Sequence, residues 1–292
     1  MTVAARFEDG FAGRIAVVTG GGTGMGRELV LQLTADGCDV ATCDVIGENL
    51  RQTVALCAEN GHSGHVLEVV ADVADEGQVL AFRDAVASWR PHVHLLFNNA
   101  GIAGGGSVVN GDRGQWDKTF AVCWNGVYFN TRAFMPLLME AQVGHIVNTS
   151  SVNGFWASIG PDTPHSAYSA AKFAVKGFTE ALITDFRLNA PHLRASVVMP
   201  GHIGTSIAIN SIKLHSTESD LVDPTMQAMG EAFRDNAPMS AAEAAAVILD
   251  AVRMDRWRVL VGADAELLDA RVRALPAQAY EPEFFALTIP EG

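Results

Sequence analysis

Short apolar runs alternate along the chain with longer stretches in which apolar positions recur at helical spacing. Runs of strand character fall at 14–19, 38–44, 64–70, 93–97, 143–149, 193–199 and 257–261. Helical patterns cover 24–36, 47–60, 75–89, 113–141, 166–189 and 240–254. Strand and helix taking turns predicts a doubly wound, Rossmann-like α/β fold, with about seven parallel strands joined by right-handed crossovers. Such a sheet binds ligands beyond the carboxyl ends of its strands. A single domain over 1–292 accounts for the pattern, because one sheet of that size consumes most of the chain. Residues 204–238 break the rhythm after the sixth strand, which predicts either a substrate lid or a surface helical hairpin above the crevice. From 263 to 292 a short amphipathic helix and an aromatic tail with Tyr280, Phe284 and Phe285 form a C-terminal extension. That extension packs either on a neighbouring subunit or as a loose end.

The first strand runs straight into a glycine turn, Thr19-Gly-Gly-Gly-Thr-Gly-Met-Gly26, and a helix comes next. Strand, glycine turn and helix form the context in which Gly20, Gly24, Met25 and Gly26 are candidate contacts for a dinucleotide. Glycine lets the backbone approach a pyrophosphate, and the helix N-terminus faces its charge. The second strand ends in Asp44, about 20 residues after the turn, where an acid accepts hydrogen bonds from ribose hydroxyls. The same residue is equally placed to cap the next helix. No Arg or Lys follows it in Val45-Ile-Gly-Glu48, so NAD(H) is expected over NADP(H).

Tyr168 and Lys172 stand four apart in a helical stretch, so they share one face. A cation beside a phenol eases its deprotonation, which makes Tyr168 a candidate general acid and base. Ser151 lies upstream. Two further segments come directly after predicted strands: Asn98-Asn-Ala-Gly101 and Pro200-Gly-His-Ile-Gly-Thr205.

From about Gly13 to Thr205 these motifs, in this order, resemble the short-chain dehydrogenase/reductase family, in its simple NAD-dependent branch. The resemblance implies hydride exchange between NAD(H) and a secondary alcohol or ketone. It makes Tyr168 the proton donor and acceptor, Lys172 its electrostatic partner, and Ser151, second in Ser150-Ser151-Val152, the group that holds the substrate oxygen. It further implies adenine contacts at Asp72 and Val73, an adenosine-ribose segment at Asn99, Ala100 and Gly101, and a nicotinamide segment at Pro200, Gly201, Ile203 and Thr205. It favours the lid reading of 204–238. It also implies a homodimer or homotetramer built through helices 113–141 and 166–189, which carry apolar residues over much of their circumference. Where the family carries a helical asparagine, alignment puts Cys123; Asn125 is two positions on, about 200° around the helix. The segment between Ser151 and Tyr168 is longer than is usual in the family and holds Phe155 and Trp156. With His202 and Ile207 these are the candidate substrate contacts, and Leu214, Met226, Met229 and Phe233 add to an expected apolar pocket.

The 292 residues are 49% hydrophobic and 18% charged, and their net charge is −13. The negative balance argues against nucleic acid and anionic membrane as partners. No apolar run is long enough to span a bilayer, and the first ten residues do not form a secretory signal. Cys38, Cys43, Cys57 and Cys123 show neither metal-ligand nor redox-motif spacing, so no metal site is expected and a cytoplasmic location is. A second reading of the same motifs is a nucleotide-binding sensor or scaffold with little catalysis, because fold alone does not guarantee activity.

Overall fold

The computed structural model describes residues 7–215 and 224–286. Expectations for the first six residues, for 216–223 of the predicted lid and for the last six of the C-terminal extension lie outside them. The elements in chain order are β1 (Ile15–Thr19), α1 (Gly24–Ala35), β2 (Asp39–Asp44), α2 (Gly47–Glu59), β3 (Val66–Val70), α3 (Glu76–Trp89) and β4 (Leu95–Asn98). They continue with α4 (Arg113–Phe120), α5 (Gly126–Met139), β5 (Gly144–Thr149), α6 (Ser166–Asn189), β6 (Leu193–Pro200), β7 (Ile203–Gly204) and α7 (Ile207–His215). The last are α8 (Pro224–Asp235), β8 (Met239–Ser240), α9 (Ala241–Arg253), β9 (Arg258–Val261), α10 (Ala263–Ala274) and α11 (Pro282–Ala286).

Seven strands form one parallel sheet in the order β3-β2-β1-β4-β5-β6-β9, as the alternating pattern predicts. Helices cover both faces, so the central strands read as continuous apolar runs; every residue of β1 is buried. Its side chains alternate between two core layers. Ala16 and Val18 pack with Leu29 and Leu33 of α1 and Ile248 of α9. Ile15 and Val17 belong to the layer with Phe82 of α3, Phe134 of α5 and Phe186 of α6. The direction of the sheet order reverses between β1 and β4, and the carboxyl ends of those strands open into a crevice.

Three features depart from the simple pattern. The helix expected over 113–141 is divided into α4 and α5 by a π-helical turn at Ala121–Asn125. Such a turn takes in an extra residue and re-aims the helix beyond it. Gly126 lies just past the turn, and a Cβ there would come within 2.8 Å of Val73, so α5 has to pass close to the β3–α3 connection. The described part of 204–238 consists of β7, α7 and α8, and the two helices pack on each other above the crevice. The C-terminal extension packs on its own chain: Ala279 and Phe284 are buried with Trp156 in a small separate cluster. Among the described residues, no helix is long and apolar enough to cross a membrane.

Candidate active site

The crevice begins at the glycine turn. Gly20 has φ +71, a region that costs other residues dearly, and a Cβ there would sit 2.8 Å from the Cα of Ala100. At Gly26 a Cβ would fall 2.0 Å from the Gly20 carbonyl oxygen, so α1 can begin this close to the turn only without a side chain. The N–H groups of Gly20 and Gly21 donate to the Cys43 carbonyl, which ties the turn to the end of β2. Thr23, at the N-cap of α1, makes no side-chain cap, which leaves the first-turn amides for a ligand. Thr19 Oγ1 accepts from the N–H groups of Asn99 and Ala100, both at 3.0 Å, and so joins the ends of β1 and β4.

A cavity of about 180 Å³ lies over this junction. Gly20, Gly24, Met25, Asp44, Asp72 and Val73 border it, together with Asn99, Ala100, Gly101 and Thr205. Gly26 lies behind the wall, where it makes the close packing possible. Asp44 Oδ2 accepts from Gly22 N and Oδ1 from Ile46 N, both at 3.0 Å. The N-cap of α2 is Ile46, so Asp44 does not cap that helix. Burial raises the Asp44 pKa, opposed by its backbone donors and by Arg27. Arg27 itself is held on the turn: Nη2 donates to the Gly22 carbonyl at 2.6 Å and to Gln52 Oε1 at 2.8 Å.

A second cavity, about 560 Å³, adjoins the first, with Met25, Asn99, Gly101, Thr205 and Ile207 bordering both. Ser151, Tyr168 and Lys172 line the larger cavity, as do Pro200, Gly201 and Ile203. Strand ends and one helix bring the first three together: Ser151 comes just after β5, and Tyr168 and Lys172 share one face of α6. The two adjacent serines have different surroundings. Ser150 Oγ donates to the Lys172 carbonyl at 2.7 Å, which commits its proton to the helix. Ser151 Oγ accepts from Asn153 N at 3.1 Å and is also hydrogen-bonded to Tyr168.

Lys172 is 2% exposed; Nζ donates to the Thr149 carbonyl at 2.8 Å and lies 5.3 Å from the centre of the Tyr168 ring. Burial pushes the Tyr168 phenol above its usual range, with Cys123 adding to the effect and the Ser151 hydrogen bond opposing it. Burial likewise lowers Lys172. The phenol is therefore raised, not lowered as the Tyr168–Lys172 spacing predicts, because enclosure disfavours the charged form of both groups. Cys123 occupies the π-turn, fully buried, and its thiol donates to the Ile102 carbonyl at 3.2 Å.

The expected substrate contacts divide. Trp156, His202 and Ile207 line the larger cavity, and Phe233 joins them. Phe155 packs instead against the Trp156–Phe284 cluster and does not border the cavity. Leu214 borders the smaller cavity, while Met226 and Met229 are 48% and 68% exposed on α8. Sequence reading missed Leu267 and Leu268, which line the larger cavity from α10. Their only signal is the amphipathic pattern of a helix remote from every motif. His165 also lines it, its ring 4.7 Å from that of Tyr168, and burial lowers its pKa to about 4. His202 Nε2 is 2.6 Å from the Phe233 carbonyl and its N–H donates to Asp264 at 2.7 Å, which links α8 and α10 at the cavity rim. Among the described residues, no group of three His, Cys, Asp or Glu side chains is arranged to hold a metal.

The sequence profile described as "short chain dehydrogenase" matches residues 14–214. The chain is 37% identical to the Mycobacterium tuberculosis protein named "Putative oxidoreductase SadH" over 91% of its own length and 92% of that protein's. It is 33% identical to levodione reductase of Leifsonia aquatica over 70% of this chain and 74% of the other. Among solved structures, a short chain dehydrogenase/reductase from Burkholderia phymatum in complex with NAD superposes with a TM-score of 0.80 at 28% identity, covering 92% of this chain and 95% of the other.

Proposed function

The chain belongs to the short-chain dehydrogenase/reductase family of oxidoreductases, and from that premise we propose that it uses NAD(H) to interconvert an uncharged, apolar secondary alcohol and its ketone. The observation that carries this reading is the meeting of Ser151, Tyr168 and Lys172 in the larger of two adjoining cavities. A glycine turn that a single Cβ would block, open first-turn amides and an acid at the end of β2 fit a dinucleotide in the smaller one. Asp44 favours ribose hydroxyls and disfavours a 2′-phosphate, and Arg27, drawn onto the Gly22 carbonyl, does not supply a free cation.

The bound nicotinamide supplies or accepts the hydride. This chain's residues handle the substrate oxygen and its proton. Burial keeps Tyr168 protonated, the form that gives a proton to a ketone oxygen as it gains charge. Ser151 donates a hydrogen bond to the same oxygen. Lys172, anchored on the Thr149 carbonyl, holds positive charge beside the phenol and stabilises phenolate as it forms. In alcohol oxidation the proton moves the other way. The walls choose the substrate: Trp156, Ile207, Phe233, Leu267 and Leu268 are apolar, Lys172 is the cavity's one lysine or arginine among the described residues, and Asp264 at the rim disfavours anions.

The test is NADH oxidation, followed by absorbance, over a panel of ring ketones, keto acids and acyl thioesters, repeated with NADPH. Turnover of ring ketones with NADH is expected. NADH binding without turnover of any ketone would replace this reading with that of a nucleotide-binding sensor. The substrate-enclosing role of α7 and α8, one domain and a cytoplasmic location belong to the same proposal; four buried, free cysteines are in keeping with the last. So does at least a homodimer through α4, α5 and α6, where Tyr128 and Phe173 are 41% and 42% exposed and Tyr128 packs with Trp124 and Phe178. Light scattering at micromolar concentration is expected to exceed the 31.0 kDa of one chain, and a monomer mass would refute the dimer.

A further inference from the structure

Trp156 is a wall of the larger cavity, yet its position is set from outside the loop that carries it. Three contacts reach that loop from the end of the chain. The Trp156 indole N–H donates to the Ala279 carbonyl at 2.7 Å. The N–H of Ala157 donates to the Tyr280 hydroxyl oxygen at 2.9 Å. The Phe284 ring packs on the indole with centroids 5.7 Å apart, and Arg271 of α10 lies over its other side, 4.9 Å from its centre. Trp156, Ala279 and Phe284 are 6%, 2% and 3% exposed, so this is a closed packing unit apart from the two main cores.

The strap that makes these contacts is itself anchored. Asp269 of α10 is buried between Arg258 of β9 and Arg273, accepting from both, which ties the helix to the sheet edge. The same helix presents Leu267 and Leu268 to the cavity. One covalent segment thus supplies part of the wall directly and props the neighbouring Trp156.

We infer that residues 263–286 are a specificity-determining strap, with Tyr280 and Phe284 positioning residues that hold Trp156 against the body of a ring-bearing substrate. This rests on the reading that the larger cavity takes the substrate. Among the described residues, no hydrogen bond, ion pair or ring contact joins the strap to Tyr168 or the glycine turn, so its loss should weaken binding of bulky substrates and leave proton transfer and cofactor binding alone. A small ketone, which does not reach the Trp156 wall, should not sense it.

The experiment uses the full chain and two probes, tert-butylcyclohexanone and butanone. Each is titrated by calorimetry into protein saturated with NAD⁺, a pairing that cannot react, and into protein alone; kcat and KM are then measured with NADH. Tyr280→Phe removes the acceptor for the Ala157 N–H from a half-exposed ring and is expected to weaken the ring ketone about threefold to tenfold, the worth of one hydrogen bond. Phe284→Ala removes the ring beneath the indole and is expected to cost about tenfold or more. In both variants butanone affinity, NADH affinity and kcat should stay within about twofold of the parent, with the change confined to KM for the ring ketone. Equal weakening of both ketones, an unchanged ring ketone, or no ring-ketone binding by the parent protein would each overturn the inference. If Phe284→Ala fails to fold, Tyr280→Phe decides alone. A parent protein that binds the ring ketone but never turns it over would sink the oxidoreductase reading, while the dissociation constants still decide the strap.

Discussion

The two adjoining cavities are built in different ways. The smaller lies at the glycine turn and the ends of the central strands. Its glycines, its short β–α connections and the ends of β1, β2 and β4 lie close in sequence to the motifs that announce them. The larger draws on widely separated places: the loop after Ser151, α6, the segment after β6, α7, α8 and α10. Backbone that must touch a ligand tolerates few residues, because a Cβ in the wrong place collides with the main chain. An apolar wall can be assembled from many sequences, because burial is non-directional. The first cavity is therefore the constrained half of the site and the second the adaptable half.

The comparison can be broken first at Tyr168, in the larger cavity. Tyr168→Phe is expected to lower turnover by roughly 10²–10⁴-fold, the usual worth of a positioned acid and base, with NADH affinity unchanged. Near-normal turnover in the purified variant would remove Tyr168 from the chemistry. The next contrast sets one half against the other. Gly26→Ala puts a Cβ 2.0 Å from the Gly20 carbonyl, and displacing the turn at a cost of ~3 kcal/mol is about a hundredfold in NADH affinity. Leu267→Ala on the other side should leave NADH titrations unmoved and raise KM for a ring ketone. If both variants lose cofactor binding alike, the division into two halves fails.

A smaller effect sharpens the cofactor side. Asp44→Ser combined with Val45→Arg removes a repulsion and supplies a phosphate partner. It should move the NADH-to-NADPH preference by roughly tenfold to a hundredfold, the range of a charged hydrogen bond. A parent protein that prefers NADPH would show that Asp44 does not read the ribose.

The last expected effect lies on the substrate side and is one of stability. His165 titrates near 4 in the fold, held down by burial, against an ordinary value near 6.5. The unfolded chain therefore takes up a proton that the fold refuses. Stability is complete above pH 6.5 and declines as pH falls from there through about 4, by ~2–3 kcal/mol from this residue. His94, also lowered to about 4 by burial, adds in the same direction; its Nδ1 accepts from Ile15 N at 3.0 Å, which requires that nitrogen unprotonated. Urea midpoints at pH 7 and pH 5 should differ less in His165→Gln than in the parent chain, and equal pH dependence would count against the buried, neutral histidine.

By itself the sequence determined the sheet. Each predicted strand, and every helix but the one over 113–141, appears within two residues of its expected ends, because hydrophobic period is a local property that survives folding. It also marked the candidate site, since a glycine turn after a buried strand and a tyrosine four residues before a lysine are local patterns that can be read without the fold. Tertiary structure alone decided the rest. The choice between Ser150 and Ser151 needed only the family pattern, but the reason for it, a hydroxyl spent on the Lys172 carbonyl, appears only in the packed helix. The π-turn around Cys123 has no period to announce it. The direction of the Tyr168 shift depends on enclosure, which no spacing encodes. The props under Trp156 come from a segment more than a hundred residues away along the chain, and two of the three contacts involve a backbone carbonyl or N–H. Any residue can carry such groups, so only the folded arrangement identifies the partners.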